Sequence, residues 1–182
     1  MNYILALLDF VGIWTSFILC ILSVWMIQKR SVYFYYYIGG FIFNMVLNAI
    51  LKSIWKQPRP DSDVSWLKIM ETDGRPVDAH MYGMPSGHAQ ESFFSLAFVY
   101  GMTQNKTKHR EKKLVWIFAA LCALTVCQRV LTRRHTLLQV TVGALLGWGI
   151  GYGLYILATH QLKGDENEKP DDDNRIAEGF TY

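Results

Sequence analysis

Charge is what this chain has little of. Asp, Glu, Lys and Arg make up 18% of its 182 residues, against roughly 25% in ordinary soluble domains. The net charge is only +3, and no DNA- or RNA-binding motif accompanies it, which excludes nucleic acid as the expected partner. Cysteine is sparse: Cys20, Cys122 and Cys127 all lie in apolar stretches, where they read as reduced thiols packing as small hydrophobes. No metal-ligand spacing is visible, so no metal or other cofactor is expected. Proline is nearly confined to one place, with four of five (Pro58, Pro60, Pro76 and Pro85) in a single polar link. At this length there is room for one domain.

What the chain has in quantity is apolar sequence, 51% hydrophobic and 14% aromatic. It comes in long blocks rather than with the periodicity of a soluble core, which points to lipid. Five blocks stand out: 3–27, 33–54, 88–103, 114–131 and 136–157. A spanning helix needs about 20 apolar residues. The first, second and fifth blocks reach that and the fourth nearly does. The third is short and carries Gln90 and Glu91, so it counts as a span only through its position between others. The first block lacks a basic start and a cleavage site and reads as a retained helix rather than a signal peptide. The expectation is an all-α, polytopic membrane bundle of about five spans over residues 1–160. An acidic, disordered tail follows over 161–182.

Five spans put alternate links on opposite sides. The Lys29–Arg30 turn, the basic 105–113 loop and the tail share one side. The long 55–87 link and the 132–135 turn share the other. A raw count of cations nearly ties the two groups, and the positive-inside rule favours the first as cytosolic once some cations of the second are paired with a bound anion. Gly143, Gly147 and Gly151 recur every four residues on the fifth span, a small-residue face suited either to packing within the bundle or to a second copy of the chain.

That topology brings three ionisable clusters to one side: Lys52 with Arg59 and Pro60, Pro85-Ser86-Gly87-His88, and Arg129 with His135 and Gln139. Three cations at a bilayer boundary need a counter-charge. No acidic residue falls within the clusters, so a bound anion is the natural partner. Arginine forks suit phosphate oxygens, lysine adds a point charge, and Ser86-Gly87 ahead of an apolar helix offers free backbone amides. Two histidines supply the chemistry, His135 as nucleophile to phosphorus and His88 as acid and base. Gln139, one helical turn after His135, is placed to accept the N–H of its ring. Glu91 reads as a favourable charge in the first turn of its helix, the alternative being a supporting role behind the site. His80, His109 and His160 have no companions and receive no role.

These residues resemble the type 2 phosphatidic acid phosphatase superfamily, whose signature is K-x6-R-P, then P-S-G-H, then S-R-x5-H-x3-D. The segment from Lys52 to Pro60 reads KSIWKQPRP, that from Pro85 to His88 reads PSGH, and that from Gln128 to Gln139 reads QRVLTRRHTLLQ. The resemblance covers roughly residues 49–146. It implies a phosphatidic acid phosphatase type 2/haloperoxidase-like core in which Lys52, Arg59, Ser86, Gly87 and Arg129 hold phosphate, His88 is acid and base, and His135 is the nucleophile. Gln128 stands where the pattern has serine, and Gln139 where it has aspartate, a change that gives an imidazolium a neutral partner. Met84-Pro85-Ser86 and His135-Thr136 with Gln139-Val140 look most like the dolichyl diphosphate phosphatase branch.

The implied activity is hydrolysis of a lipid phosphate or diphosphate, with the site lumenal or exterior and, in a eukaryote, the endoplasmic reticulum as location. A broad phosphatidate phosphatase and a non-catalytic phosphate-binding membrane protein are the alternatives. The vanadate peroxidases that share this site pattern are soluble, and the apolar blocks argue against them.

Overall fold

The computed structural model describes residues 3–60, 82–104 and 109–168. Most of the long link, Asn105-Lys106-Thr107, which in sequence is an N-glycosylation sequon in the basic loop, and residues 169–182 therefore lie outside the described residues. Within them are five helices: α1 (Tyr3–Ile27), α2 (Ser31–Trp55), α3 (Gly87–Gln104), α4 (His109–Leu131) and α5 (Leu137–Glu168). No strand occurs among the described residues; the sole extended pairing is an isolated bridge between Pro58 and Tyr82.

The third block differs most in character from the others. Ser31–Trp55, Lys113–Leu131 and Leu137–Lys163 are long and apolar enough to cross a membrane, and Gly12–Ile27 is a shorter apolar run. Helix α3 is not among them. It is the centre of the bundle, with Ala89, Gln90, Ser92 and nearly all of 94–103 buried, and the other four helices pack around it. Protein, not lipid, surrounds its side chains, so it carries Gln90, Glu91, Ser92 and Ser95 without exposing them to hydrocarbon. Trp25, Tyr35, Phe43, Trp116 and Leu145, by contrast, point outward from the surrounding helices, as lipid-facing side chains do.

Helices α3 and α5 run in parallel and touch backbone to backbone. A Cβ on Gly143, Gly147 or Gly151 would collide with the carbonyl oxygens of Ser86, Gln90 and Phe94 respectively. The glycine face is thus covered by α3 of the same chain and is not open to a second copy. Small residues in a membrane allow this approach, where dispersion and weak Cα–H···O contacts replace a hydrophobic driving force. Away from the site, Tyr37, Phe94, Phe98 and Tyr155 form an aromatic core with Ile27 and Met102. The Tyr37 hydroxyl finds a partner in Ser95 at 2.8 Å, so its burial leaves no orphan donor.

Helix α5 continues to Glu168, past the expected boundary at 160. Hydropathy marks where lipid contact stops, whereas a polar helix in frame with the span keeps its backbone bonds in water. The Lys29–Arg30 turn and Leu162 line one hollow, so the end of α5 lies on the same side as that turn, as the span count expects.

Candidate active site

The opposite end of the bundle holds a cavity of about 310 Å³ lined by Lys52, Arg59, Gly87, His88, Arg129 and His135, together with Met45, Asn48, Ala49 and Glu91. Six of the eight sequence-nominated residues meet at this one hollow. Ser86 and Gln139 are buried beside it.

Main-chain turns set this convergence. Helix α4 ends at Leu131, and a tight reversal with Arg133 at φ 53° brings the N–H groups of Arg134 and His135 back to the carbonyl of Arg129, both at 3.1 Å. The R-x5-H spacing is therefore one closed turn that sets His135 beside Arg129. Thr136 then caps α5. Its Oγ1 accepts from the N–H of Gln139 at 3.2 Å, and the Oε1 of Gln139 accepts from the N–H of Thr136 at 3.1 Å. This is a reciprocal capping box, legible as T-x-x-Q.

Gln139 does more than cap. Its Oε1 lies 3.2 Å from Nδ1 of His135, and its amide nitrogen donates to the Pro58 carbonyl at 3.0 Å and to Oε1 of Gln57 at 3.1 Å. A backbone donor on one side and a backbone acceptor on the other fix which way the carboxamide points. Nδ1 of His135 also lies 2.9 Å from the Gly83 carbonyl. With two acceptors around it, Nδ1 carries the proton and Nε2 keeps its lone pair. The Gly83 carbonyl had no sequence signal beyond its nearness to PSGH. It reaches His135 because Gly83 N–H bonds the Gln57 carbonyl at 2.8 Å, pairing the two ends of the long link. Only glycine fits there, since a Cβ would overlap the Gln139 carboxamide.

His135 is 3% exposed. Burial, then the guanidinium groups of Arg59 and Arg129, push its imidazole down to about 3, against the opposing pull of the Gln139 hydrogen bond. Burial and neighbouring Arg134 lower Arg59 as well. Crowded cations with a neutral imidazole are the electrostatics of a site shaped for an anion.

On the other wall, α3 starts at Gly87, and the Ser86 carbonyl accepts from Gln90 N–H at 3.0 Å. The amides of Gly87 and His88 belong to the first turn and have no intrahelical acceptor. Ser86 Oγ is buried without a hydrogen-bond partner among the described residues. Asn48, which sequence reading passed over, holds this loop from α2. Its Nδ2 donates to the Pro85 carbonyl at 3.3 Å and to Oε1 of Gln90 at 2.8 Å, and Gln90 in turn donates to Asn44 Oδ1 at 2.8 Å.

One expectation is overturned. Glu91 lines the cavity with the three cations, so the clusters do include a carboxylate. It lies past the first turn of α3 and shares the face of His88, three residues before it. Sequence proximity could not reveal this, because the cations come from α2, the link and α4.

Known proteins resemble this chain. The chain is 40% identical over 78 residues to a lipid A 4'-phosphatase of Helicobacter pylori, covering 43% of this chain and 36% of that protein. It is 33% identical over 129 residues to a dolichyldiphosphatase of Saccharomyces cerevisiae, covering 68% and 51%, and 27% identical over 149 residues to dolichyldiphosphatase 1 of Homo sapiens, covering 75% and 58%. The chain thus spans less than two thirds of the length of each. No solved structure matches it significantly. Residues 33–163, from the start of α2 through the capping box and most of α5, match the model of the PAP2 superfamily, and the chain belongs to that family.

Proposed function

We propose that the protein is an integral membrane phosphatase that hydrolyses a lipid-linked phosphate or diphosphate, with polyprenyl diphosphate as the favoured class. The observation that carries this reading is the meeting of His88, His135, Lys52, Arg59 and Arg129 around one cavity. The two dolichyldiphosphatase relatives, which align with 68% and 75% of the chain, support the diphosphate class. The lipid A 4'-phosphatase, a relative over a shorter stretch, keeps monoesters in the substrate panel.

In the proposed reaction, Nε2 of His135 attacks the terminal phosphorus while the bond to the leaving oxygen breaks. His88 delivers a proton to that oxygen. Water then attacks the phosphohistidine, His88 takes its proton, the P–N bond breaks, and inorganic phosphate departs. Lys52, Arg59 and Arg129, with Ser86 Oγ and the amides at Gly87 and His88, balance charge on the equatorial oxygens. No metal is required in this scheme. The site faces the lumen or exterior, and the Lys29–Arg30 turn and the end of α5 face the cytosol.

The test is phosphate release from farnesyl diphosphate and from phosphatidic acid by purified protein in chelator, with His135→Ala as control. Turnover of the diphosphate by wild type and loss in the variant is the expected result. Equal rates in the two proteins refute the assignment.

A further inference from the structure

Three fixed cations around a small cavity create a difficulty for a turning-over enzyme. They bind the substrate's phosphate, but they bind the released phosphate too. A site built only of Lys52, Arg59 and Arg129 would hold its product and, between substrates, would hold three like charges together in a poorly solvated place. The structure contains one counterweight. Glu91 is the only carboxylate among the described residues that line the cavity. It follows His88 by three positions, so one face of α3 carries both the imidazole and the carboxylate into the same hollow. Its backbone is locked in place, because α3 is clamped on the glycine face of α5 and Ser95 Oγ donates to the Glu91 carbonyl at 3.2 Å.

Of the α2 residues that line the cavity, Met45, Asn48 and Ala49 are apolar or neutral, and Lys52 carries the charge. The amide hydrogens of Asn48 are committed to Pro85 and Gln90. The charged groups that share the cavity with Glu91 are therefore cations, Lys52 at the end of α2, Arg59 of the link and Arg129 of α4.

We propose that Glu91 is a counter-charge that sets how tightly the cavity holds phosphate: it offsets one cation when no substrate is bound and repels the free phosphate dianion so that product leaves. This rests on the reading of the cavity as a phosphate site. Glu91 takes no proton from substrate and forms no bond; it acts through the field at the anion.

The experiment measures equilibrium binding of inorganic phosphate to the purified protein in detergent, by calorimetry and by the rise of melting temperature with phosphate. Wild type, Glu91→Gln and Glu91→Asp are compared at low and high ionic strength. Removing one negative charge at close range should tighten phosphate binding about tenfold at low salt, and salt should shrink that difference. Glu91→Gln should melt lower than wild type without phosphate and recover with it. Glu91→Asp, which keeps the charge, should bind phosphate as wild type does. Unchanged or weaker binding by Glu91→Gln overturns the proposal, as does an Asp variant that behaves like the Gln variant. Failure of the well-folded wild-type protein to bind phosphate at all would instead bring down the underlying phosphate-site reading, and the counter-charge with it.

Discussion

At the scale of single residues, the pair His135–Gln139 decides most. The neutral imidazole is held with Nδ1 between two neutral acceptors, so its free nitrogen stays available well into acid. Gln139→Asp would place a carboxylate there, favour the imidazolium, and move the acid limb of the rate profile to higher pH; pH-dependent kcat/KM checks this. Gln139→Ala should lower kcat by about 10²-fold with little change in KM, the order seen when a supporting contact to a reacting group is lost. Stability follows the same imidazole with a definite sign. Its folded pKa of about 3 lies below the ordinary value of 6.5, so between those values the unfolded chain binds more protons. The His135 contribution is intact above 6.5 and is lost as pH falls toward 3. Melting curves should show a shallower acid decline for His135→Asn than for wild type. The histidines, lysine and arginines were legible because they recur at span ends in three spaced groups. Glu91, Asn48 and the Gly83 carbonyl were not, because each depends on how α2, α3 and the link turn toward one another.

Among the elements, α3 and α5 form the rigid pair that holds the two histidines in register. His88 opens one and His135 precedes the other, and the glycine contacts run along both. Gly147→Ala would drive a methyl group into the Gln90 carbonyl, and Gln90 anchors Asn48 and hence Pro85. It should cost about 1–3 kcal/mol of stability, as overpacking does, and reduce turnover as well. Gly149→Ala is the control, since nothing lies within 4 Å of a Cβ there, and it should behave as wild type in detergent melts. Hydropathy located four of the five helices, because lipid contact demands apolar surface. It undersold α3, whose neighbours are protein. It also ended α5 too early, because helical hydrogen bonding does not stop where the bilayer does.

The whole molecule is a bundle whose two ends differ in purpose: a cavity with both histidines at one, the Lys29–Arg30 turn and the end of α5 at the other. If the second end is cytosolic, the sequon at Asn105 should stay unmodified in eukaryotic cells, and a shift in mass on glycosidase treatment would reverse the orientation. The alternation of five spans predicted that all three clusters share a side, and the cavity brings them together; a single miscounted helix would have scattered them.

The most direct test of the central claim is to trap the phosphoryl group. Protein mixed briefly with farnesyl diphosphate labelled at its terminal phosphorus, then quenched in base, should carry an acid-labile, base-stable label on the peptide containing His135, and none after His135→Ala. Label on a different residue, or undiminished turnover by His135→Ala, would contradict the account.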